Sequence, residues 1–434
     1  MGDQPNGGQR GPFPWELGIF DAHCHPTDTM DSIPAIPTSM RARVLTVMAT
    51  RSQDQHLVAQ VADEHGFTCT SRQAIASSSA SSSASDGQHG SHIPNKIVPA
   101  FGWHPWFSHQ LYDDTLARDQ ATYDPESSDL ASEKLRHYNA VLTPPPRGKD
   151  DDGFIDQLPT PQPLSELLSQ TRKYLEAHPL ALVGEVGIDK AFRLPSPGVF
   201  VSNPEASMTQ GRRNGERLSP YRVNMDHQIR IMKAQLNLAG QTGRPVSVHG
   251  VQAHGVLYNA IKSTWKGHER AVVTNRERKR IAKGVNEDFS SSSEDESDDE
   301  GSSANVKTRK QYKPRPYPPR ICLHSYTGTV DVLKQYTNDR ACPAKIFFSF
   351  SLCVNYSTGG HERDRKKHLA DDVIRACPDD RILVESDLHT AGQQMDDMLE
   401  EMYRKVCEVK GWGLREGVER IRDNYLDFIF GPTT

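Results

Sequence analysis

Short apolar runs alternate with helix-periodic stretches along almost the whole chain, and this alternation restricts the possible folds more than any other feature of the sequence. The runs cover residues 18–25, 43–48, 96–102, 180–186, 244–249, 321–324, 344–350 and 381–387. Between and after them, apolar residues recur at helical spacing over 53–65, 164–178, 221–240, 251–265, 330–336, 363–376, 395–410 and 414–430. The run LALVGEV at 180–186 is almost continuously apolar, as suits a strand covered on both faces in a parallel sheet. Eight strands alternating with helices predict an α/β fold, a (β/α)8 TIM barrel built by the whole chain, 1–434, as one domain. A doubly wound open sheet is the competing arrangement, but it gathers its chemistry in one crevice and not around a ring.

The ends of the runs carry the chemistry. His23 and His25 lie on one face of an extended strand and can approach one ion together. Alone, a His-x-His is more often a pair of ordinary polar residues. Four later runs, however, deliver residues of the same chemical type: Glu185, His249, His324 and Asp387. A buried Glu185, set between Gly184 and Gly187, needs a counter-charge, either from a metal or from a core salt bridge. Gly250 after His249 leaves room for a ligand to approach. Asp387 shares a strand face with Glu385, so one can bind an ion while the other supports it. His104, between Trp103 and Pro105, either orients a substrate or packs in its loop.

Four histidines and two carboxylates suffice for two divalent metal ions with one carboxylate bridging them. Such a pair, about 3.5–4 Å apart, brings the pKa of a bound water toward about 7 and stabilises attacking and leaving oxygens, so the pattern points to hydrolysis. Mixed histidine and carboxylate ligation suits Zn²⁺ or Mn²⁺ better than an all-oxygen Mg²⁺ shell, and leaves Mg, Mn and Zn open.

Composition shows where the barrel is interrupted. Hydrophobic residues make up only 35% of 434, low for a chain that must bury a large core, because long polar inserts dilute the average. Four inserts are expected as loops or disordered segments: 71–95 with a serine-alanine tract, 108–163 with a triple proline, 193–220 rich in Pro, Gly and Ser, and 267–319 of low complexity. The net charge is -5, yet Glu294, Asp295, Glu296, Asp298, Asp299 and Glu300 exceed that by themselves, so bulk charge implies no nucleic-acid partner and any phosphate affinity must be local. Seven scattered cysteines without C-x-x-C spacing read as reduced thiols of a cytoplasmic or nuclear protein. No apolar leader and no membrane-length run is present, which predicts a soluble protein with no membrane partner. The basic run 276–283 reads either as a nuclear-localisation or phosphate-binding segment or as a solvated stretch.

Taken in order, Phe20-Asp21-Ala22-His23-Cys24-His25, Gly102-Trp103-His104-Pro105, Gly184-Glu185-Val186-Gly187-Ile188-Asp189, Val248-His249, His324-Ser325-Tyr326-Thr327-Gly328 and Glu385-Ser386-Asp387 resemble the motifs of TatD-type deoxyribonucleases. The closing Asn424-Tyr425-Leu426 to Phe430 is similar to that family's last helix. The resemblance implies an amidohydrolase-like barrel, a metal-dependent hydrolase of DNA phosphodiesters, often a 3′-to-5′ exonuclease. It implies metal ligation by His23, His25, Glu185, His249, His324 and Asp387, with Glu185 as the bridge and Asp387 also taking the proton of the attacking water. Two positions depart from the family pattern: Gly250-Val251 stand where a small residue and an arginine are usual, removing a phosphate contact, and Leu388-His389 replace a small residue and proline.

The inserts and the stretch from Gly187 to Arg193 resemble the fungal branch of the family, whose members were named as interactors of an anaphase-promoting-complex subunit. That implies a second possibility, an interaction protein with a cell-cycle partner on a barrel scaffold. A third keeps the hydrolase and changes its substrate to a small ester, lactone or amide.

Overall fold

Each apolar run becomes a strand that is buried along nearly its whole length. The structure, a computed structural model, describes residues 11–76, 96–146, 149–196, 218–269, 315–356 and 361–432. Its main strands are β1 (Phe20–Cys24), β2 (Val44–Met48), β3 (Ile97–Phe101), β4 (Leu182–Asp189), β5 (Val246–Val251), β6 (Arg320–Leu323), β7 (Lys345–Phe350) and β8 (Ile382–Val384). They pair in chain order, every pair parallel. β1 and β8 meet where the amide of Asp387 donates to the carbonyl of His23 (3.0 Å) and the amide of His25 donates to that of Leu388 (2.8 Å). The result is the expected (β/α)8 barrel, nearly closed.

The connections are helical: α1 (Ser52–His65), α2 (Leu130–Val141), α3 (Leu164–Ala177), α4 (Met225–Thr242), α5 (His254–Lys262), α6 (Val330–Asn338), α7 (His361–Ala376), α8 (Gln393–Lys410) and α9 (Leu414–Phe430). Alternate strand positions, among them Val44 and Met48, Val98 and Ala100, form an apolar cluster with Tyr425, Leu426, Phe428 and Ile429 of α9. The remaining apolar strand residues pack with the other helices in the largest cluster. α4 stops at Gly243, whose φ of 67° is the left-handed conformation that glycine adopts freely. The helical stretch read as 221–240 runs on through Gly240, where a Cβ would come within 3.0 Å of Tyr317 Cα, so this glycine serves close packing of the 316–317 backbone.

Residues 108–163, expected as a loop or disordered insert, correct that expectation. They hold α2, a further helix at Lys149–Gln157 and three two-residue strands. Tyr138, Val141, Leu142, Phe154 and Ile155 join Leu194, Tyr221 and Val223 in a small apolar cluster of their own, which supplies the burial the polar composition hid. Within 71–95, Arg72–Ala76 is helical. Residues 77–95, 197–217 and the runs 276–283 and 290–300 lie outside the described residues.

Candidate metal centre

Two local irregularities aim the central side chains. Pairing of β1 with β2 shifts register between Asp21 and Cys24, and pairing of β4 with β5 shifts between Val183 and Val186. A bulge re-directs the side chains it contains, and these two contain His23 and Glu185. Close strand approach needs glycine at two points. A Cβ on Gly102 would lie 2.9 Å from the Gly184 backbone, and one on Gly187, where φ is 152°, would collide with the His249 carbonyl.

The six residues singled out in the sequence converge. His23 Nε2 and His25 Nε2 are 3.1 Å apart. Each lies 3.4 Å from Glu185 Oε2, and Asp387 Oδ1 is 3.9 and 3.7 Å from them. The other Glu185 oxygen, Oε1, faces a second set: His249 Nδ1 at 2.7 Å, His324 Nε2 at 2.8 Å and His104 Nε2 at 3.1 Å. One carboxylate thus presents one oxygen to each of two donor groups. All but Asp387 are buried, and Asp387 is the most open, with 16% of its side chain exposed against 3% for Glu185.

His104 is held differently from the others. Its Nδ1 accepts a hydrogen bond from the Trp106 amide (3.1 Å), which leaves the proton on Nε2, aimed at Glu185. The ring is a hydrogen-bond donor facing the centre. Three supporting residues escaped the sequence reading. Asp189 Oδ2 accepts from His249 Nε2 (3.2 Å) and Trp106 Nε1 (2.6 Å), while its Oδ1 accepts from the amides of Ala191 and Phe192. Ser247 Oγ pairs with His23 Nδ1 at 3.0 Å. Asp21 receives the amides of His23 and Ser386. Asp189 stands four residues after Glu185 on one strand, so the two-residue period offered a signal; Ser247 and Asp21 gave none. Glu385 accepts from the Ser325 amide at 2.7 Å and lies 3.4 Å from His324 Nδ1. Ser325 and Asp387 both take left-handed backbone (φ 38° and 54°), an uncommon conformation for residues other than glycine.

Charge explains why these groups tolerate one another. Burial would raise the Glu185 carboxyl, but the imidazoles of His104, His324 and His23 outweigh it and hold it well below its usual range. Burial opposes charge on His249 as well, yet hydrogen bonds to Asp189 and Glu185 push it up to about 9, and Glu185 lifts His324 similarly. Burial keeps His104 at about 4 and holds His25 well below its ordinary value. The carboxylates therefore demand positive charge at this spot. Facing imidazole nitrogens with an acceptor carboxylate between them form a donor set that fits divalent cations. Three groups have ligand atoms close enough to hold an ion: His23, His25 and Asp387; His23, His324 and Glu385; and His104, Glu185 and His249.

The chain is similar to known proteins over most of its length. Residues 20–429 match the profile of the family described as TatD related DNase. The chain is 33% identical over 411 residues, 95% of its length and 98% of the relative's, to the Cut9-interacting protein scn1 of Schizosaccharomyces pombe. It is 26% identical over 293 residues, 68% of its own length and 66% of the relative's, to the uncharacterized deoxyribonuclease YMR262W of Saccharomyces cerevisiae. A TatD homolog from Escherichia coli is similar at a TM-score of 0.46 and 13% identity, covering 96% of this chain and 98% of that one. A TatD family hydrolase from Entamoeba histolytica gives 0.49 and 10%, over 96% and 99%. With six motifs in register and the profile spanning nearly the whole sequence, the chain belongs to the TatD-related DNase family of metal-dependent hydrolases.

Proposed function

We propose that this protein hydrolyses phosphodiester bonds of DNA at a two-ion centre held by His23, His25, Glu185, His249, His324 and Asp387, acting from a 3′ end. The observation that carries this reading is the division of Glu185 between two donor sets, Oε2 toward His23 and His25 and Oε1 toward His249 and His324. Two divalent ions, when bound, would supply a nucleophilic water near neutral pH and neutralise charge on the phosphate. The chain's own groups do the rest. Asp387, the most exposed carboxylate of the cluster, takes the proton of the attacking water. His104 donates from Nε2 to a phosphate oxygen. Asp189 and Ser247 fix the rings of His249 and His23 so that their facing nitrogens keep lone pairs for the ions.

The test is to strip the purified protein of metal, restore Mg²⁺, Mn²⁺ or Zn²⁺ separately, and incubate it with end-labelled single- and double-stranded DNA. Metal-dependent shortening from the 3′ end is expected, with Glu185→Ala and His23→Ala slower by about 100-fold or more. Equal activity in wild type and variants would defeat the assignment; inactivity on DNA with tight metal binding would favour a small ester, lactone or amide. The extensive identity to a relative named for its interaction with Cut9 supports a second role, binding of a cell-cycle protein in the cytoplasm or nucleus. A partner captured equally by wild type and Glu185→Ala would establish that role as independent of catalysis.

A further inference from the structure

Side chains close the barrel between β1 and β8. Every other neighbouring pair of main strands forms a parallel ladder, whereas none joins β1 to β8 among the described residues. At Phe20 the hydroxyl of Tyr403 on α8 takes both main-chain groups, accepting from the amide (3.2 Å) and donating to the carbonyl (2.9 Å). One residue on, the fully buried Asp21 reaches across to the end of β8. Its Oδ1 accepts from the amides of His23 (3.1 Å) and Ser386 (3.0 Å), and its Oδ2 accepts from the Ser386 hydroxyl (2.5 Å). That hydroxyl in turn accepts from the Leu388 amide (3.3 Å). Main-chain bonds cross the seam only beyond this point, from the Asp387 amide to the His23 carbonyl and from the His25 amide to that of Leu388.

The two halves of the metal centre are therefore supported in different ways. His249 and His324 end strands that pair in a regular ladder through Val246 with Ile321, Ser247 with Cys322 and Val248 with Leu323, and the His324 amide still donates to the Val248 carbonyl (3.0 Å). Glu185 and His249 stand within the pairing of β4 with β5. Asp387 lies past the end of β8, with a φ of 54° that no ladder residue adopts. Its neighbours on both sides are tied to Asp21, Ser386 directly and Leu388 through the Ser386 hydroxyl. The separations of Asp387 Oδ1 from Nε2 of His23 (3.9 Å) and of His25 (3.7 Å) are thus set through Asp21.

We propose that Asp21 is a positioning residue, a clamp across the barrel seam that sets Asp387 beside His23 and His25 and so supports one of the two ion sites and not the other. The proposal rests on the two-ion reading above and assigns the two ions separate supports in the fold.

The experiment compares full-length wild type, Asp21→Ala, Asp21→Asn and Ser386→Ala, first free of metal and then titrated with Mn²⁺. In the metal-free proteins, amide hydrogen exchange is followed by mass spectrometry. The amides of His25 and Asp387, neither of which bonds to Asp21, should exchange faster in Asp21→Ala, while the His324 amide keeps its wild-type rate. In the titration, counted by the paramagnetic resonance of free Mn²⁺, Asp21→Ala should weaken one ion about 10- to 100-fold and leave the other unchanged. The loss should add to that of His324→Ala and add nothing to that of His25→Ala. Asp21→Asn and Ser386→Ala each keep part of the clamp, so both should weaken the same ion by a smaller factor; they carry the test if Asp21→Ala does not fold. Equal weakening of both ions, unchanged affinity for both, or exchange at His25 and Asp387 as slow as in wild type would overturn the proposal. Should wild type hold fewer than two ions, the two-ion reading fails by itself, and the exchange rates still decide the clamp.

Discussion

At Asp189 a single carboxylate joins the metal centre to its surroundings, with one oxygen on His249 and Trp106 and the other on two backbone amides. Removing it frees the His249 ring to rotate and to place its proton on the nitrogen that should face an ion. Asp189→Ala should therefore weaken divalent-ion affinity about 10- to 100-fold, measured by competition with a chelating dye, while Asp189→Asn, which keeps an acceptor, loses less. Equal affinity in wild type and Asp189→Ala would show that His249 is fixed by other means. The sequence exposed the inner residues because a histidine or carboxylate at the end of an apolar strand has few other uses. It concealed the outer ones, since Ser247 within an apolar run or Asp21 before a histidine looks like any polar residue until the partner strand is known. Register shifts at His23 and Glu185 were hidden for the same reason, because a bulge is fixed by the neighbouring strand and not by composition.

At the level of elements, α4 organises the loops that surround the site. Its Gln235 accepts the Trp103 amide and donates to the Trp103 carbonyl, its Gln228 does the same for Asp189, and its His227 donates to the Ser108 carbonyl (2.8 Å). From the other side α2 contributes His137, which donates to the His109 carbonyl and accepts from Thr122, and His109 donates to the Trp106 carbonyl. These side chains replace ladder bonds where the strands end, and so hold His104 and Trp106 in place. Burial keeps His109 and His137 at about 3 and His227 at about 4. In the unfolded chain they protonate near 6.5, so the unfolded state gains protons first as pH falls, and stability, complete above that value, is lost from about 6.5 down to about 4 for His227 and about 3 for His109 and His137. At pH 5 each costs about 2 kcal/mol of stability relative to pH 7.5, readable in urea unfolding at the two values. His137→Leu should flatten this dependence and lower stability at pH 7.5 by about 1–3 kcal/mol, because the His109 carbonyl loses its donor. A slope unaltered by that substitution would contradict the account. Helices packed on the barrel were legible from their periodicity; α2 was not, because only His137, Tyr138 and Val141 of its residues are buried.

For the whole molecule the deciding feature is closure. The first strand end and the last meet at the seam of His23, His25, Asp387 and Leu388, so residues more than 350 positions apart share one mouth with Glu185, His249 and His324 from the opposite side. The alternation of eight strands with helices made that ring foreseeable. Its interruptions were not, since polar segments reveal neither whether they order nor against what. The most direct test of the central claim is the metal content of the stripped and reloaded full-length protein beside its Glu185→Ala variant. Two equivalents of divalent ion per wild-type chain, with both weakened by the loss of the shared carboxylate, is the predicted result. One equivalent or none in wild type, or two bound as tightly by Glu185→Ala, would contradict it.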